Sequence, residues 1–92
     1  SVQIISRCEL NHPSVFLSFA ESIEPLFTQK THKYLLVWVQ NRGEFTGDLL
    51  VKQEGSRDVV VHITNVSREN FDRLGTHLKL KQQDKDTYST LS

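Results

Sequence analysis

Ninety-two residues suffice for one domain with a single core and no need of disulfide or metal staples. Eleven basic side chains are matched by eleven acidic ones, so no charge excess marks the chain as a nucleic-acid binder. The longest apolar run, Leu35 to Val39, falls far short of the ~20 residues of a membrane-spanning helix, which excludes membrane insertion through a helix.

Ser1 to Glu9 carries Val2, Ile4 and Ile5 and is expected to form a first strand, with Cys8 as a small apolar residue nearby. Asn11-His12-Pro13 is a turn, because the residue before a proline is driven out of the helical region. From Ser14 to Ala20 the alternation of Val15, Leu17 and Phe19 predicts a half-buried strand, with Phe16 the exception. Glu21 to Lys30, interrupted by Pro25, is expected as a short helical turn or loop. Tyr34 to Gln40 is apolar at successive positions and predicts a central strand. Leu49 to Gln53 and Val59 to Thr64 pair through the Glu54–Asp58 turn, with Val59, Val61 and Ile63 inward. Ser67-Arg68-Glu69-Asn70 is a helix-start signal, and Gly75 is expected to stop that turn. Thr76 to Gln82 then alternates like a strand, and residues 83–92 form a polar turn and a final edge strand or frayed tail.

Seven candidate strands predict an all-β fold: a small antiparallel sandwich, immunoglobulin-like, with one or two short helical turns. The alternative keeps both helical segments whole, as an α+β antiparallel sheet with two helices. Ile63-Thr64-Asn65-Val66 followed by Asp72 and Gly75 resembles the E–F corner of immunoglobulin-like domains, which supports the sandwich. His77 stands where that corner carries a tyrosine, and the paired cysteines are absent. The expected core comprises Val15, Leu17, Phe19, Leu49, Val51, Val59, Val61, Ile63, Leu78 and Leu80. Residues 1–92 make a single domain, and a start at Ser1 without methionine suggests excision from a larger protein.

Chemistry finds little support. No two of His12, His32, His62 and His77 stand at the close spacing of a local zinc motif. His62 and His77 could converge only if both faced outward on one sheet. Cys8 lacks the Gly-rich turn or elbow of an activated thiol, and G-x-S-x-G is missing. Glu21/Glu24 and Asp84/Asp86 suit solvated turns better than acid–base pairs. The four glycines are spread one per turn and cannot cradle phosphate. The sequence therefore predicts no enzyme, no cofactor and no metal. Asn65-Val66-Ser67 is a glycosylation acceptor, relevant only in the secretory pathway. The single cysteine instead favours a reducing, cytoplasmic setting.

What remains is surface. A central strand apolar on both faces needs a cover, supplied by Ile23–Phe27 or by a partner protein. Phe45, between Gly43 and Gly47 with Arg42 and Glu44 beside it, has the make-up of an apolar anchor in a polar rim. Arg42, Glu44, Phe45 and Trp38 are thus the expected partner-binding residues of a non-enzymatic protein-interaction module. The alternative is a structural domain that associates with copies of itself.

Overall fold

The fold is α+β, as seen in a computed structural model that describes residues 3–5, 9–43 and 45–90. Strand β1 (Gln3–Ile5) and a short 3-10 turn (Glu9–Asn11) precede helix α1 (Pro13–Thr28). Strands β2 (Tyr34–Gln40), β3 (Thr46–Gln53) and β4 (Val59–Ser67) follow, then helix α2 (Arg68–His77) and strands β5 (Lys81–Asp84) and β6 (Thr87–Ser89). They form one sheet in the order β1-β4-β3-β2-β6-β5, antiparallel except for β1, which runs parallel to β4. Both helices contribute to a single apolar cluster on one face of that sheet.

The immunoglobulin-like sandwich is therefore overturned in favour of the two-helix alternative, and the correction starts at residue 13. Phe16, Phe19, Ala20, Ile23 and Phe27 are the buried residues of α1, and they recur at helical spacing across both segments that alternation divides. Phe16, the misfit of a strand, is fully buried, whereas Leu17 is 49% exposed and no core residue. Pro13 opens the helix, where its missing N–H is harmless, and Pro25 is tolerated inside it.

Helix α2 begins where expected: the Ser67 hydroxyl accepts the Asn70 N–H at 3.1 Å. It does not stop at Gly75. That glycine is buried because the ring of Tyr88 lies against it, and a Cβ there would come within 2.6 Å of the ring. Asp72 and Gly75 are helical, so the resemblance to an E–F corner does not extend to the backbone. Thr76–Gln82 is not one strand: the helix occupies its start and β5 its end, leaving Leu78 and Leu80 half-buried between them. Of the expected terminal edge strand or frayed tail, residues 83–84 do lie in the edge strand β5, residues 87–90 are neither, and residues 91–92 lie outside the described residues. Tyr88, Ser89 and Thr90 are buried, and β6 lies inside the sheet between β2 and β5.

The hairpins of β2, β3 and β4 match the sequence expectation closely. Leu36, Trp38, Leu49, Val51, Val61 and Ile63 alternate into the core. Asn65, at a φ of +57°, marks an extra residue in β4 opposite Gly47–Leu49, and the resulting bulge turns Val66 inward. A second irregularity at Val51/Lys52 displaces Val59, which is half-buried instead of fully inside.

Candidate functional site

Among the described residues both helices lie over one face of the sheet and neither lies over the other. Opposite the core, Leu35, Val37 and Val39 of β2 alternate with buried Leu36 and Trp38, and Val37 stands directly across from Leu50 of β3. Leu50 in turn faces His62 of β4. Leu35, Val37 and Leu50 are half-buried and Val39 is 51% exposed, and both helices pack on the other side. An antiparallel sheet with one solvated face normally alternates apolar with polar there. This one presents an aliphatic strip instead, bordered by Lys52, Thr64 and the His62–Asp48 pair, joined at 2.9 Å.

The β2–β3 hairpin tip continues from Val39. Phe45 is 95% exposed and Arg42 is exposed beside it. Glu44 and Cys8 lie outside the described residues. Trp38 is drawn out of the expected surface: at 6% exposure it donates its Nε1–H to the Val66 carbonyl at 3.1 Å and stacks on Phe71. Its apolar bulk serves the core, and the cover over its face is helix α2, not a partner.

The histidines do not converge. His62 sits on the uncovered face, whereas His77 ends α2 with its ring edge-on to Phe16. Among the described residues no three His, Cys, Asp or Glu side chains come together as a metal-binding group. The densest polar constellation binds α2 to the β5–β6 hairpin. Arg68 donates to Asp72 at 3.1 Å and to Asp86 at 2.8 Å, and also donates to the Lys85 carbonyl. Its guanidinium lies 5.2 Å from the Trp38 ring centroid. Tyr88 donates its hydroxyl to Asp72 at 2.9 Å. Burial pushes the Tyr88 phenol above its ordinary range, and the hydrogen bond to the Asp72 carboxylate adds to the effect. With every member paired, this network is a clamp.

A cleft of about 780 Å³ opens elsewhere, between the α1–β2 loop and the α2–β5 loop. Phe27, Leu78 and Leu80 contribute apolar side chains to it, and Lys30, His32, Lys33 and Lys79 line it as well. Sequence spacing gives no sign of this grouping, because its lysines come from two loops more than forty residues apart. No described helix is long and apolar enough to cross a membrane. No protein-family model matches the chain, nor does any curated protein or any solved structure.

Proposed function

We propose that this domain is a non-enzymatic protein-interaction module that docks on another folded protein through the uncovered sheet face and the neighbouring hairpin tip. The observation that carries the reading is the aliphatic strip of Leu35, Val37 and Val39 along the outward side of β2, joined by Leu50 across from Val37. Phe45 and Arg42 extend it as an exposed anchor and its polar flank. The lone cysteine supports a reducing, cytoplasmic setting, and the balanced charge argues against nucleic acid as the partner.

Magnitudes favour a reversible contact. Completing the burial of each half-buried aliphatic side chain gains at most about 1 kcal/mol, and burying Phe45 about 2–3 kcal/mol. Association itself costs about 4–15 kcal/mol, so the surface fits a weak, reversible encounter better than an obligate assembly. Pairing through the β5 edge is disfavoured: that strand has four residues, all exposed, with Lys81 and Asp84 at its ends.

The test is capture from native extract with wild type, Val37→Lys and Phe45→Ala, alongside light scattering of the pure domain. Both variants are expected to keep a denaturation midpoint close to wild type while losing the same captured protein. A capture profile unchanged in both variants would contradict the reading. So would light scattering that shows a stable dimer broken by Val37→Lys, which would make a second copy the occupant.

A further inference from the structure

We propose that the cleft between the α1–β2 and α2–β5 loops binds a short acidic peptide segment carrying one bulky apolar side chain. The site is separate from the sheet face and hairpin tip, and stands or falls without them. Its chemistry is amphipathic. Phe27, Leu78 and Leu80 supply an apolar floor, and Lys30, Lys33 and Lys79 supply cations from both loops. Among the described residues none of these lysines makes an ion pair, and no carboxylate lines the cleft. In a chain of zero net charge, three unpaired lysines around one apolar cleft form a local field of one sign.

The backbone at Lys79 adds a second observation. Helix α2 ends in a Schellman motif: the Leu80 N–H donates to the Gly75 carbonyl at 2.9 Å, and the Lys79 N–H to that of Thr76 at 3.0 Å. The residue between Leu78 and Leu80 must be left-handed, and Lys79 has a φ of +57°. Glycine is the usual occupant because it accepts that conformation without strain. A lysine held there against its backbone preference places a cation at the rim of the cleft, where a functional use would offset the strain.

The lining selects the class of anion. The cleft holds no arginine fork or glycine-rich cradle of the kind that binds a compact dianion such as phosphate. An extended peptide separates the two demands: its apolar side chain fills the floor while carboxylates on either side reach the lysine tips. The volume lies within the ~300–1,000 Å³ of ordinary ligand pockets.

The test uses fluorescence anisotropy with a labelled probe, a capped peptide with one tryptophan side chain flanked on each side by two glutamates. Saturable binding with a dissociation constant of about 10–500 µM is expected, weakening as salt shortens the Debye length. Lys79→Gly should weaken it about two- to fivefold while the melting temperature holds or rises, and Lys30→Gln with Lys33→Gln should weaken it further. Amide chemical-shift changes should cluster at Gln29–Lys33 and Leu78–Leu80. No saturable binding up to about 1 mM, or equal affinity for a probe with lysines in place of the glutamates, would overturn the proposal. Affinity unchanged by all three lysine substitutions would do the same. Competition by inorganic phosphate alone would make the ligand a simple anion. Tighter binding to phosphatidylserine vesicles than to the peptide would make it a lipid surface, and either result refutes a peptide site.

Discussion

The two faces of the central sheet are built from the same strands and have opposite fates. On one, Leu36, Trp38, Leu49, Val51, Val61 and Ile63 vanish under α1 and α2. On the other, Leu35, Val37, Val39 and Leu50 offer comparable aliphatic chemistry to solvent. The difference shows that hydrophobicity along a strand does not choose its covered face. The helices choose it, through the aromatic side chains they bring. Phe16, Phe19 and Phe27 come from α1 and Phe71 from α2, and Trp38 and Tyr88 meet them from the sheet.

The largest expected effect breaks the covered face. Phe71 is fully buried, with ring centroids 6.3 Å from Trp38 and 5.2 Å from Tyr88. Phe71→Ala should destabilise the domain by about 3–5 kcal/mol in urea or guanidinium titration. Val37→Ala, on the open face, should lower stability by less than about 1 kcal/mol, so equal losses would erase the distinction. Gly75→Ala sharpens the same point, since its new methyl would collide with the body of the Tyr88 ring. A net loss of about 1–2 kcal/mol is expected, because overpacking outweighs the gain in helix propensity.

The central strands were legible in the sequence; which of their faces stays open, and the full helix layer that covers the other, were not. The apolar run at Tyr34–Val39 and the turn signals around it identify the β2–β4 meander by local rules alone. Helix α1 was obscured because Val15, Leu17 and Phe19 also satisfy period two, and only Phe16 breaks the tie. Gly75 misleads for a different reason: its small size serves the approach of Tyr88, thirteen residues on, and no local pattern encodes that. Phe45 and Arg42 could be marked as exposed from their Gly-flanked loop. Trp38 could not be assigned a face, since both faces of its strand are apolar. The lysine-lined cleft assembles from two loops only when the helices pack, so it left no trace in spacing.

Smaller effects test the clamp that holds the helix layer to the β5–β6 hairpin. Arg68→Ala removes the bonds to Asp72 and Asp86 and the cation over Trp38 and Phe71. With these groups partly exposed and screened by solvent, the loss should be about 1–2 kcal/mol by thermal or chemical denaturation. Tyr88→Phe should lower stability at neutral pH by about 1 kcal/mol, through the lost bond to Asp72. Its pH signature is more specific. The Tyr88 phenol is raised above its ordinary 10.0, so it keeps its proton longer in the folded state than in the unfolded one. That contribution is complete below the unfolded value and disappears as pH rises through the folded one. Wild type should therefore lose stability above about pH 10 more steeply than Tyr88→Phe. Parallel profiles would remove Tyr88 from the account.

The central claim, that the uncovered face is where a partner sits, is tested most directly by cross-linking resolved by face. A photoreactive amino acid is placed on the strip at position 50, or on the solvent side of α1 at position 24, and irradiated in native extract. The account predicts a discrete adduct from position 50, reduced by Val37→Lys in the same chain, and none of that mass from position 24. An adduct of the same mass from position 24, or its absence from position 50, would contradict it.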